Sequence, residues 1–177
     1  YVYPGSNDVV TAQMGNYTHT LGYYLYDNPD YNGETNIVST GTIIMKCSGN
    51  RAQYIYKRGA GDYTFNNLQF VSDDPEYAQT KYITGDITVN GTLSLSNNSD
   101  NEVLCLALDI DNHNISGGPN SAFSLGNNCR IKTSGANNFE DMMDTFGSVN
   151  MNANSVVQFD ATYVEQKIPG VTYGNIY

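Results

Sequence analysis

The sequence predicts an all-β fold: a parallel β-helix, or β-solenoid, with one short helical insertion. Three observations carry this. Apolar residues come in short stretches that alternate with polar ones, the period of two that marks a strand with one buried face. Turn clusters separate the stretches, among them Tyr31-Asn-Gly33, Ser96-Asn-Asn-Ser-Asp-Asn101, Ser116-Gly-Gly-Pro-Asn120 and Gly126-Asn-Asn128. Asn and Gly tolerate the left-handed backbone that such corners demand. A strand-and-turn unit also recurs in degenerate form, and such a unit buries its apolar face only by stacking on a neighbour. The same strand spacing fits an alternative, a β-sandwich or two small sandwiches divided near Asp73-Asp-Pro75.

The elements follow in chain order. In Thr42-Ile-Ile-Met-Lys-Cys47, the residues Ile43, Met45 and Cys47 share one side. Ile83 to Val89 and Thr92 to Ser96 alternate in the same way. From Val103 to Ile110, Leu104, Leu106, Leu108 and Ile110 fall on one face. Asn137 to Gly147 breaks the rule, with Phe139, Met142, Met143 and Phe146 at helical spacing. Asn138 suits the cap, Glu140 and Asp141 suit the positive N-terminal end, and Gly147 suits the stop. This helix is expected to fold over the core as a lid, the alternative being an exposed binding knob.

The repeat joins three places. A polar turn, a short aliphatic strand and a Tyr followed by Leu or Ile occur from Val2, again from Gly41, and again from Asn154 to Ile176. On this reading residues 1–177 form a single repeat-built domain, with degenerate units of about 1–40, 41–82 and 83–177. The last unit turns at Pro169-Gly170 and starts a further strand at Tyr173–Ile176. The chain also begins with Tyr1 rather than Met, so a piece of a longer protein is expected.

Composition narrows the function. The chain has 177 residues, fifteen Tyr, no Trp and a net charge of −10, a balance that suits a β-rich extracellular protein. Nucleic-acid binding needs a basic face, and so does binding to anionic membranes; neither is expected. No apolar run is long enough for a membrane-spanning helix. Cys47, Cys105 and Cys129 lack CxxC spacing and read as buried small hydrophobes, with a Cys105–Cys129 disulfide as the alternative.

From residue 83 on, the motifs are specific enough to compare. Ile83-Thr-Gly-Asp-Ile-Thr-Val-Asn-Gly-Thr-Leu-Ser-Leu95 is followed by Leu108-Asp-Ile-Asp-Asn-His-Asn-Ile-Ser-Gly117 and Ala122-Phe-Ser-Leu-Gly-Asn-Asn-Cys-Arg-Ile131. Ser155-Val-Val-Gln-Phe159, Gln166-Lys-Ile-Pro169 and Tyr173-Gly-Asn-Ile176 complete the series. This succession resembles the repeat region of large cell-surface proteins of Bacteroidota, of the β-helix type exported by the type IX secretion system. The resemblance is good from about residue 83 to the end and fainter before it. The chain departs from that pattern at Asp160-Ala161, where Gly is common, at Ile176, where Leu is common, and in its longer helical insertion. The resemblance implies a secreted structural or adhesive segment, in surface attachment or gliding motility. Its implied partners are adjacent repeats of the same chain, surface glycans, or the secretion and gliding machinery.

Candidate sites are few. Tyr23, Tyr24, Tyr26 and Tyr31, then Tyr54, Tyr56 and Tyr63, form the most suggestive set. Exposed aromatics in rows stack on sugar rings or anchor a partner, while in stacked coils they also form ladders. Asp109 and Asp111, with His113, put oxygen and nitrogen ligands at alternate positions, a spacing that suits calcium, though without the glycine and distal Glu of an EF-hand loop. Paired carboxylates at Asp73-Asp74, Asp100 with Glu102, and Glu140-Asp141 raise the alternative of a carbohydrate-active enzyme, which needs two carboxyls facing one bond. No GxSxG elbow accompanies His19 or His113, and no cluster of Lys or Arg that would bind a uronate stands out, so catalysis is not expected. Four Asn-x-Ser/Thr sites, at Asn16, Asn90, Asn97 and Asn114, are explained by the abundance of Asn.

Overall fold

The computed structural model describes residues 9–26, 34–46, 49–57, 59–74, 76–98, 105–136, 138–161, 170 and 175–176. The chain winds as a β-solenoid of about five turns. The first coil holds β1 (Val9–Gly15), β2 (Thr18–Leu21) and β3 (Tyr24–Tyr26). The next holds β4 (Glu34–Lys46) and β5 (Gln53–Tyr56), then β6 (Tyr63–Ser72) and β7 (Gln79–Ile83). They are followed by β8 (Ile87–Val89), β9 (Thr92–Asn97) and β10 (Leu106–Asp109), then β11 (Ile115–Ser116), β12 (Ala122–Leu125) and β13 (Cys129–Thr133). Helix α1 (Asn138–Thr145) opens the last full coil, with β14 (Ser148–Met151) and β15 (Val156–Phe159), and β16 (Asn175–Ile176) belongs to a further one.

Every pairing among these strands is parallel. That excludes the sandwich alternative, whose sheets are antiparallel. The strands stack in three columns. The first two belong to one nine-stranded sheet, because β4 and β6 are long enough to run through both. The β4–β6 register breaks between Ser39 and Thr42, where the chain turns from the first column to the second. The third column is a separate seven-stranded sheet in the order β16-β15-β13-β10-β7-β5-β3.

Alternation decides the interior. In the second column Ile43, Leu68, Leu93 and Phe123 stack in register, as do Met45, Phe70, Leu95 and Leu125, and all eight are buried. In the third column Leu108, Ile131 and Val157 do the same. The coil is the repeating unit, with Leu68 meeting Leu93 after about 25 residues. It is shorter than the units expected from sequence, and β4 runs across the expected boundary between residues 40 and 41.

Corners need close backbone approach. A side chain on Gly41 would come within 2.1 Å of the Tyr17 carbonyl oxygen, which accepts the Thr42 N–H. Asp111 (φ 47°) and Asn128 (φ 52°) adopt the left-handed conformation at corners of the third column.

The insertion is a lid, as expected. Phe139, Met142, Met143 and Phe146 are all buried. Phe139 meets Phe159 edge to face at 5.8 Å, and Phe146 lies 6.0 Å from Phe123. The helix packs beside β11, so it closes the first column where another strand would stand. No helix among the described residues is long and apolar enough to cross a membrane. Cys105 and Cys129 are free thiols, Cys129 fully buried. Cys47, Tyr31, Asp100, Glu102 and the Gln166–Pro169 turn lie outside the described residues.

Candidate functional site

The outer face of the third column gathers the candidate residues. Tyr24, Tyr54 and Tyr82 occupy one register position on β3, β5 and β7. Their rings stack, Tyr24 on Tyr54 at 5.5 Å and Tyr54 on Tyr82 at 4.8 Å. Burial, then the neighbouring phenols of Tyr82 and Tyr24, push the Tyr54 hydroxyl above its ordinary value of 10.0. Tyr56 meets Tyr54 edge to face at 6.4 Å, and Tyr23 lies 6.1 Å from Tyr24 beneath the Arg51 guanidinium. Tyr23 and Tyr24 are 43% and 52% exposed, the open end of this aromatic strip. Tyr26 pairs in register with Tyr56. Tyr63 does not belong to the strip: it points inward, 1% exposed, against Phe65.

Tyr82 is the member that sequence reading missed. It stands apart from the tyrosine clusters at 23–26 and 54–56 and joins them only through the coil. The signal was its distance from Tyr54, 28 residues, the same step that puts Lys81 on Gln53.

Beyond Tyr82 the ladder changes chemistry. Asp109 follows Tyr82 in register, and Lys132 follows Asp109. A ring gives way to a short carboxylate, and a groove of about 300 Å³ opens at the step. Tyr82, Ile83, Thr84, Asp109, Asp111, His113, Lys132, Ser134 and Asp160 line it. Lys132 Nζ sits between two carboxylates, 2.7 Å from Asp160 and 3.4 Å from Asp109. The Asp160 hydrogen bond, with help from Asp109 and against partial burial, holds the Lys132 ammonium above its ordinary value.

The expected calcium ligands thus lie in the groove but are already engaged. Asp109 Oδ1 accepts the Asp111 N–H at 3.0 Å, and its other oxygen faces Lys132. Asp111 accepts a hydrogen bond from the Ser134 hydroxyl, and its carbonyl accepts the Ser134 N–H. His113 is 3.8 Å from Asp86. Among the described residues no group of three His, Cys, Asp or Glu side chains is arranged to hold a metal ion.

The other candidates disperse. Asp73 pairs with Lys46 at 2.8 Å, while Asp74 accepts the N–H groups of Gly49, Glu76 and Tyr77 and ties two turns together. Glu140 and Asp141 sit in the first turn of α1. His19 Nε2 donates to the Met14 carbonyl at 2.8 Å. Compared with family models, with curated proteins and with solved structures, the chain finds no match.

Proposed function

We propose that the chain is a structural and adhesive segment of a secreted, extracellular cell-surface repeat protein. The observation that supports this most is the continuous outer strip from Tyr23 and Tyr24 to Lys132, carried on coils that pair in parallel throughout. Coil-on-coil hydrogen bonding makes a stiff spacer. The strip gives that spacer a lateral surface with aromatic rings and hydrogen-bonding groups, the chemistry that contacts glycans or another surface. Adjacent repeats, surface glycans and the secretion and gliding machinery are the partners this role implies.

Two experiments test it. The full-length gene product should carry more coils of this kind and a C-terminal sorting domain; a lone secreted domain of this size would overturn the reading. Labelled chain should also bind surfaces coated with polysaccharide or with cell envelopes.

A second reading, a carbohydrate-active enzyme, draws on the convergence of Asp109, Asp111 and Asp160 in one groove. Against it, Lys132 bridges two of these carboxylates and Ser134 engages the third. Release of new reducing ends or unsaturated products from a bound polysaccharide, abolished by Asp160→Asn, would replace the adhesive reading with the enzymatic one.

A further inference from the structure

The tyrosine ladder ends at the edge of the groove, and the geometry points to a sugar ring as its next member: we propose that the groove is a subsite for one neutral or amino-sugar residue. The inference rests on the adhesive reading and names its ligand. Tyr54 covers one face of Tyr82, at 4.8 Å and nearly parallel. On the other side the next coil places Asp109 at the register position, so no ring continues the stack there. Tyr82 and Asp109 both line the groove. A pyranose presents a flat apolar face of C–H groups and a rim of hydroxyls. Laid on Tyr82, it continues the stack, and its rim meets Asp109, Asp111, Lys132 and Asp160.

Size and charge narrow the class. A volume of about 300 Å³ is at the small end for ligand sites and suits one ring, with the rest of an oligosaccharide outside. The lining holds Asp109, Asp111 and Asp160 against Lys132 alone among Lys and Arg. The excess of carboxylates, on a chain of net charge −10, disfavours uronates and sialic acids and tolerates an amine. Tyr54 cannot substitute, because both its faces are covered, by Tyr24 and Tyr82, and the exposed Tyr23 and Tyr24 lie away from the groove lining.

The test uses the whole chain and three probes: β-linked tetramers of glucose, of glucosamine and of glucuronate, followed by calorimetry and saturation-transfer NMR. The glucose or the glucosamine tetramer is expected to bind, with the glucuronate at least roughly tenfold weaker. Tyr82→Phe keeps the ring and should bind within about threefold of wild type, while Tyr82→Ala should lose roughly tenfold or more, as aromatic anchors do. Asp109→Tyr fills the step with the protein's own ring and should abolish binding while the chain stays folded, a result that does not depend on whether Tyr82→Ala folds. Sugar binding unchanged in Asp109→Tyr, preference for the glucuronate, or no binding of any tetramer would overturn the subsite. If the chain still adheres to coated surfaces in that case, the adhesive reading stands without it. If adhesion is absent too, both fall.

Discussion

Along one inward row and the outward row beside it, the two halves of the third column invert each other. In β5 and β7 one inward row is polar, Gln53 and Lys81, beside an apolar one, Ile55 and Ile83, and the outward row is aromatic, Tyr54 and Tyr82. In β10, β13 and β15 the inward row is apolar, Leu108, Ile131 and Val157, and the outward row is polar, Asp109, Lys132 and Gln158. Both rows switch at one step, from β7 to β10. Alternation says which residues share a face, but it does not say which face turns inward. In the first half Ile55 and Ile83 join the core, and a buried network accommodates the polar residues that share their face. Lys81 Nζ donates to Gln53 Oε1 and, at 2.9 Å, to Gln79 Oε1. The amides in turn donate to the carbonyls of Leu21 and Gly49. A buried amine is tolerable only with such partners. With Lys81 satisfied inside, the tyrosines outside gain each other's faces.

The largest expected effect comes from breaking that network. Lys81 is fully buried, so Lys81→Ala leaves a void and strands amide oxygens, a loss of about 3–5 kcal/mol. Leu108→Ala, one coil on in the same row, makes only a void and should cost less, about 2–4 kcal/mol. Urea midpoints of the two variants compare the halves directly. If Lys81→Ala is the milder one, the network is not what holds the first half.

Outward positions give the next contrast. Tyr54→Ala removes two ring stacks and should cost about 1–3 kcal/mol, accompanied by loss of near-UV tyrosine circular dichroism. Gln158→Ala, on the outward row of the other half, breaks one hydrogen bond from Arg130 and should cost less than about 1 kcal/mol. Equal losses would mean that the ladder adds nothing beyond ordinary packing.

How much of this was legible in the sequence follows from the range of each interaction. The alternation of Leu106, Leu108 and Ile110 is local, and all three are buried as read. The helix was legible because Phe139, Met142, Met143 and Phe146 lie within a few residues of one another. The parallel coil was legible only as a class, from turn residues and a degenerate repeat. Its period was not, since corner lengths vary and register is set by stacking. The inversion at Lys81 and Tyr82 was illegible for the same reason: the partners that bury the one and stack the other lie a whole coil away. Asp109 and Asp111 were read as a local pair, but Lys132 and Asp160, which decide the charge of the groove, arrive from later coils.

The halves should also differ in which end of the pH scale loosens them. In the first half, hydrogen bonds from the Glu76, Gly49 and Tyr77 N–H groups hold the Asp74 carboxyl below its ordinary value of 3.8. A lowered folded value contributes stability above the ordinary value, and that stability is lost as pH falls from there through the folded value. In the second half Lys132 is raised above 10.5, so its contribution is complete below that value and is lost as pH rises through the folded one. Asp74→Asn should make the acid limb of Tm against pH shallower, and Lys132→Met the alkaline limb. An Asp74→Asn curve parallel to wild type on the acid side would remove Asp74 from the account.

The smallest effect concerns whether the two halves come apart. Burial pushes the Cys129 thiol up to about 12, and burial also raises Cys105. At pH 8 roughly one Cys129 in 10,000 is then a thiolate, so alkylation waits for opening. The two cysteines report different places. Cys129 lies in register with Leu106 inside the second half, whereas the Cys105 carbonyl accepts the Gln79 N–H across the β7–β10 step itself. Stacked repeats can open anywhere along their axis when one interface is weak. Here the step is spanned by in-register pairing from Leu106–Gln79 to Asp109–Tyr82, so no weak interface is expected. Iodoacetamide labelling at pH 8, read peptide by peptide along a urea series, should therefore show Cys105 and Cys129 reacting at one midpoint. The loss of the tyrosine near-UV signal should coincide with it. Cys105 labelling at clearly lower urea would place a fault where the two faces change chemistry, and the inversion would then mark a boundary between two folding units.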